Sequence, residues 1–313
     1  MSSKSNLVFV GLAAVTFGCS SAKPSSFPKS ELIKKGEYTI VEAVPPEKVS
    51  SLEALLQQSS PERAYSGKVE LKIEESQLPE VLYYIRKDGD WTTLKSMGSS
   101  LIINNEGYFL TVHHAFKEYL QQLEAGNVSS FVLLYDPLYG FAATARPLIF
   151  SEQDDILLGK VDIGRYPIAT IPISKSNEHP LDMVYSVTYR NKDYILSNLY
   201  REVMQSGEVD NNLLFHQNHT LPKMTSKLGV AIGIGHEFTV LIKENPDISY
   251  FYSRAIGGDS GSPVFDFNSA QTGIVVGKAK TTEANPQDLV VYTEGSSIRG
   301  MITAYVGFVK SNK

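Results

Sequence analysis

The stretch "AIGGDSGSPVFDF", Ala255 to Phe267, sets one serine, Ser260, between Asp259 and Gly261, with two more glycines before it and an apolar run after it. Gly, Asp, Ser and Pro are the residues of sharp chain reversals, so a tight turn entering a strand accounts for the composition by itself. The same arrangement also suits a nucleophile presented on a turn. A serine hydroxyl attacks poorly at neutral pH unless a base lies within hydrogen-bond reach and a further group orients that base. The rest of the chain decides between the two readings.

Two upstream segments supply the missing parts. "GYFLTVHHAF", Gly107 to Phe116, offers adjacent histidines, and "SEQDDILLGKV", Ser151 to Val161, offers adjacent aspartates before an apolar strand. Histidine, aspartate and serine come one after another in the order of the chymotrypsin arrangement. "GGDSGSPVF" resembles the nucleophile segment of chymotrypsin-fold serine proteases, and "LTVHHAF" their Leu-Thr-x-x-His segment. "DDILLGKV" resembles their Asp-Ile-Ala-Leu-Leu segment. "GSSLIINNEGYFLT" is similar to the Gly-Ser-Gly-Phe opening of the bacterial HtrA and glutamyl endopeptidase groups. The resemblance covers roughly Ser66 to Lys313.

That resemblance implies a serine endopeptidase working through an acyl-enzyme, with Ser260 as nucleophile and His114 as base, His113 being its neighbour. Asp155 is the implied orienting acid, with Asp154 as the alternative. The backbone N–H groups of Gly258 and Ser260 would form the oxyanion hole, and glycine at 258 lets that peptide face the pocket. "TGIVVGKA", which contains Gly277, would run beside the substrate. Arg254, six positions before the nucleophile, falls where the base of the specificity pocket often lies. It would favour an acidic side chain, unless it pairs with Asp259 or lies at the surface. The alternative function is a degenerate protease fold serving as a binding or scaffold protein. The partner expected is a peptide or protein substrate, with no cofactor and no metal. His216 and His219 in "HQNH" lack a cysteine or carboxylate cluster that would make them ligands. His179 and His236 are isolated, and "GVAIGIGHE" lacks the spacing of a phosphate loop.

The wider pattern predicts an all-β protein. Short runs such as "VLYYIRK", "YFLTV", "SFVLLYD", "YPIATIPI", "YILSNLYREV", "FTVLIK" and "DLVVYT" recur between Gly, Asn, Asp and Pro. Two such sets fit two small barrels packed together, about 66–172 and about 173–313, and the chymotrypsin-fold resemblance implies six antiparallel strands in each. In "SSIRGMITAYVGFVK", Ile298, Met301, Ile302, Tyr305 and Val309 repeat at helical spacing behind Ser296 or Ser297 as a cap. A C-terminal helix therefore closes the chain. The stretch beyond Ser260 is too short for the remaining strands plus a peptide-binding module of the HtrA type.

Residues 19–65 are rich in Ser, Pro, Lys and Glu and read as a tether or an edge wrapping, with a short helix at Ser51–Gln58. Before them, residues 1–18 read as a signal peptide: Lys4, then an apolar run from Leu7 to Phe17 that is too short to span a bilayer. Ending on Gly18-Cys19, this segment resembles a bacterial lipoprotein signal, which implies lipidation of Cys19 and a membrane anchor in the periplasm or at the cell surface. Cleavage after Ala22 is the alternative and would release the protein. With Cys19 the only cysteine, the chain forms no internal disulfide. Of the 313 residues 42% are hydrophobic and 20% charged, an ordinary globular balance. The net charge of −5 argues against nucleic acid as partner, because phosphate binding needs a basic face.

Overall fold

The computed structural model describes residues 32–58, 80–87, 90–126, 130–136, 141–163, 171–175, 183–189, 224–230, 248–252, 259–266, 270–280 and 288–312. They form two antiparallel sheets and a C-terminal helix. The first sheet contains β1 (Ile33–Lys35), β2 (Tyr38–Ile40), β3 (Glu80–Lys87), β4 (Asp90–Ser99), β5 (Leu101–Ile102), β6 (Tyr108–Thr111), β7 (Ser130–Asp136), β8 (Phe141–Ser151) and β9 (Ile156–Lys160). Their order is β4-β3-β7-β8-β9-β6-β5, with β2 added to β8 and β1 to β2. The second sheet contains β10 (Met183–Tyr189), β11 (Met224–Val230), β12 (Ile248–Tyr252), β13 (Pro263–Asp266), β14 (Gln271–Lys280) and β15 (Asp288–Glu294). Its order is β11-β10-β13-β14-β15-β12.

The second sheet has the expected six strands, whereas the first has nine, and among the described residues neither closes on itself. β1 and β2, which precede the expected barrel, account for two of the three extra strands. β8 is eleven residues long, and its end, Ile149–Ser151, pairs with β2 as well as β9. Its register shifts between Pro147 and Ile149, where proline has no N–H to offer the ladder. "YILSNLYREV" and "FTVLIK" lie outside the described residues.

The segment read as a tether or edge wrapping is packed over residues 38–57. Helix α1 (Ser50–Gln57) begins one residue earlier than the expected Ser51–Gln58 and buries Leu52 and Leu55 completely. Tyr305 Oη donates to Glu42 O at 3.0 Å and accepts from Val44 N at 3.1 Å, and Tyr108 Oη donates to Lys48 O at 2.6 Å. Burial raises the pKa of both phenols, so both stay neutral donors.

Helix α2 (Lys117–Glu124) follows the histidine segment, and α3 (Gly295–Ser311) ends the chain. The apolar set expected on α3, Ile298, Met301, Ile302, Tyr305 and Val309, is buried. The expected serine cap is not used. β15 runs straight into the helix through Glu294, whose backbone is extended (φ −73°, ψ 157°), so the helix begins before Ser296 and no side chain caps it.

Candidate active site

Three chain segments build the site. The first leaves β6 at Thr111 and turns through a short 3-10 turn, His113–Ala115. This turn divides the adjacent histidines. His113 points inward, with its ring stacked on Phe150 at 4.6 Å between centroids. His114 points outward, with 42% of its side chain exposed. Burial lowers the pKa of His113, and nearby Asp155 and Glu152 partly offset this.

The second segment is the turn between β8 and β9. Asp155 Oδ1 accepts the backbone N–H of His114 at 2.8 Å, and its Oδ2 meets His114 Nδ1 at 2.6 Å. Asp155 O also accepts the N–H of His113 at 3.2 Å. An ionised carboxylate can only accept, so the ring proton belongs on Nδ1 and the Nε2 lone pair is left for a substrate or nucleophile. Asp154 faces elsewhere. Its N–H donates to Ser151 Oγ at 3.1 Å, its Oδ2 accepts from the same hydroxyl at 3.3 Å, and its carbonyl accepts from Thr293 Oγ1 at 2.6 Å. Asp155 is the non-glycine residue with a positive φ, 52°, among those described. The left-handed region costs an L-residue about 1–2 kcal/mol, and Asp is among the residues that tolerate it.

The third segment is the turn Asp259–Ser262, closed by Ser262 N–H to Asp259 O at 3.0 Å. Ser260 O accepts from Ser99 N at 2.7 Å, and Gly261 N donates to Val275 O at 2.7 Å. Glycine is required at two positions here. Gly261 has φ 85°, and a Cβ on it would fall 1.8 Å from Ser99 O and 2.8 Å from Thr111 Oγ1. Gly98 has φ 143°, and its Cβ would fall 2.4 Å from Ser260 O. Thr111 Oγ1 donates to Ser99 O at 2.8 Å, so the strand leading to His114 abuts the residue after Ser260.

His114 and Asp155 are thus in direct contact, and the Ser260 turn is bonded to β14 at Val275 and to β4 at Ser99, whose carbonyl in turn accepts from Thr111 at the end of β6. Among the described residues no hydrogen bond joins the Ser260 hydroxyl to His114; such contacts are often long before substrate binds. Gly277 sits at a bulge in β14, half-buried, with open space where a Cβ would be. Gly258, Arg254 and Cys19 lie outside the described residues, as do His179, His216, His219 and His236. Sequence reading missed Gly98, Ser99 and Thr293. "GSSLIIN" held the signal for the first two, but nothing marks a buried strand threonine as a partner of the aspartate turn.

Among the described residues no three His, Cys, Asp or Glu side chains form a metal cluster, and no helix is long and apolar enough to cross a membrane. A cavity of about 440 Å³ lies at the other end of the β6–β9 pair, beside Glu106 and Lys160, away from His114.

No protein-family model and no curated protein matches the chain. Among solved structures it is similar to an HtrA-type protease, AlgW with decapeptide, at TM-score 0.47 and 12% identity, covering 76% of this chain and 68% of that one. It is also similar to a serine endoprotease from Yersinia pestis at TM-score 0.46 and 14% identity, covering 78% of this chain and 68% of that one. Likenesses this distant carry no functional argument, and the functional reading rests on the site itself.

Proposed function

We propose that the chain is a serine endopeptidase of chymotrypsin-like fold that cleaves peptide bonds through Ser260, His114 and Asp155. The observation that carries the reading is the double grip of Asp155 on His114, through the backbone N–H at 2.8 Å and Nδ1 at 2.6 Å. A merely structural ion pair would not need the ring's orientation fixed relative to its own backbone, whereas a general base does.

In this mechanism Ser260 Oγ attacks the scissile carbonyl as its proton passes to His114 Nε2. The carbonyl π electrons move onto oxygen, where the N–H groups of Gly258 and Ser260 receive the charge, at about 3–4 kcal/mol per donor. Collapse of the tetrahedral adduct breaks the C–N bond, and the leaving amine takes the proton from His114. Water then repeats the sequence on the acyl-enzyme and frees Ser260. Asp155 stabilises the imidazolium in both halves and remains ionised. Arg254 is proposed to select an acidic residue at the cleavage site. The mature protein is proposed to be held at a membrane by lipid on Cys19.

The test is labelling of the mature protein by a fluorophosphonate probe, beside Ser260→Ala and His114→Ala. Labelling of the wild type that is lost in both variants is expected. A folded wild type that stays unlabelled overturns the reading in favour of a binding protein on a degenerate protease fold. Metabolic lipid labelling abolished by Cys19→Ser is the outcome expected for the anchor.

A further inference from the structure

The carboxylate of Asp155 is fixed from one side by His114, but that contact alone does not explain the residue's backbone. φ is the rotation between the preceding peptide plane and the rest of the residue. The plane before Asp155 carries the carbonyl of Asp154. That carbonyl is pinned by Thr293 Oγ1 at 2.6 Å, a bond spanning 139 residues and joining the second sheet to the first-sheet turn. The carboxylate and the Asp155 carbonyl are held by the His113–His114 segment and the preceding plane by Thr293, and the backbone between these two sets of bonds lies at φ 52°.

Thr293 is itself immobilised. It is fully buried and paired to Ile274 on one side and Ile248 on the other. Ile274 pairs in turn with Pro263, three residues after Ser260. Two strand spacings, roughly 10 Å, therefore separate the anchor of the aspartate turn from the end of the Ser260 turn. A single rigid ladder, β15-β14-β13, reaches both.

We infer that Thr293 is a positioning residue: from β15 its hydroxyl holds the Asp154–Asp155 peptide plane and so sets the Asp155 carboxylate against His114, in register with the Ser260 turn. The inference rests on the catalytic reading of Asp155 and His114. Its chemistry demands a donor rather than mere bulk, since Thr293 accounts for the Asp154 carbonyl from the opposing sheet. Removing the hydroxyl at constant volume takes that donor from a buried carbonyl and removes the hold of the second sheet on the plane.

The test compares wild type with Thr293→Val and Thr293→Ser. Two readouts are used: the inactivation rate at saturating fluorophosphonate, and the far-downfield proton NMR signal of His114 Nδ1–H, assigned by its absence in His114→Ala. Thr293→Val is expected to fold, to lose on the order of 10–100-fold in the maximal inactivation rate without a change in probe affinity, and to lose the downfield signal. Thr293→Ser is expected to restore both to within about threefold. Wild-type rate and signal in Thr293→Val overturn the inference while leaving the protease reading intact. An unlabelled wild type overturns the protease reading, and the NMR signal then still decides the positioning role. Should Thr293→Val not fold, the smaller Thr293→Ala replaces it, and failure of both to fold overturns a specific positioning role.

Discussion

Asp155 holds His114 at two points with its two oxygens, the backbone N–H at 2.8 Å and Nδ1 at 2.6 Å, while the neighbouring Asp154 turns inward to Ser151. Adjacent carboxylates therefore have separable roles. In Asp155→Asn the amide nitrogen faces Nδ1 and draws the ring into the tautomer whose Nε2 carries the proton, which removes the base that the proposed mechanism requires. Its kcat is expected to fall about 10⁴-fold with the fold retained. Asp154→Asn keeps the backbone bonds and is expected to cost about 1–3 kcal/mol of stability, with kcat within about tenfold of wild type. Peptidase assays and urea melts on the two variants check this contrast.

How much of the fold and site was legible in the sequence depends on how local each signal is. β6 and β9 are short continuous apolar runs and the α3 face repeats at helical spacing, so a few neighbouring residues reveal each. The division between His113 and His114 depends on a 3-10 turn, and the Thr293 bond joins residues 139 apart, so neither leaves a local pattern. In residues 38–57 the helix was legible, whereas tether and edge wrapping both stayed open, for a different reason. The segment's buried apolar residues, Ile40, Val41, Val44, Val49, Leu52 and Leu55, are spread among Pro, Lys and Glu, whose average masks them.

Gly261→Ala and Gly98→Ala test the close approach around Ser260. Each adds a Cβ against backbone oxygen, at 1.8 Å from Ser99 O and 2.4 Å from Ser260 O respectively. For Gly261 the left-handed penalty adds to the clash, and a loss of about 2–5 kcal/mol is expected in denaturant melts. In Gly98→Ala the displaced Ser260 carbonyl is expected to remove fluorophosphonate labelling before global unfolding is seen.

Gly277→Val separates fold from substrate binding. The site is half-buried and a Cβ there meets nothing within 4 Å, so stability is expected to change by less than about 0.5 kcal/mol. If β14 flanks the substrate at this bulge, KM for peptides rises while labelling by a small fluorophosphonate is unchanged. Equal peptide KM in wild type and variant refutes that role.

His113 gives the fold a defined acid sensitivity. Burial against Phe150 lowers its pKa below the value of about 6.5 that the unfolded chain restores, so the unfolded state binds the proton more readily. Its contribution is therefore complete above about pH 6.5 and is lost as the pH falls through the lowered folded value. His113→Phe retains a stacked ring without a titrating group. Urea midpoints between pH 7.5 and 5 are expected to fall less steeply in the variant than in the wild type.

Arg299 ties three remote pieces together and so measures what the N-terminal segment contributes. Its Nη2 donates to Leu56 O at 2.6 Å, at the end of α1, and its Nη1 to Ile173 O at 3.4 Å, between the two sheets. Lys175 Nζ reaches Gln57 O at 3.3 Å, and Lys310 bonds Glu53 on the same helix. The bonds to Leu56 and Gln57 serve carbonyls that the end of a helix leaves without intrahelical partners. Arg299→Ala is expected to cost about 1–3 kcal/mol through the partner it leaves behind, and Leu52→Ala about 2–5 kcal/mol through the cavity beneath α1. If residues 33–57 were a loose tether, both variants would melt with the wild type and limited proteolysis would remove the segment without loss of stability. A packed segment instead protects this region and shifts the whole transition, and a single cooperative melt displaced in both variants is the expected result.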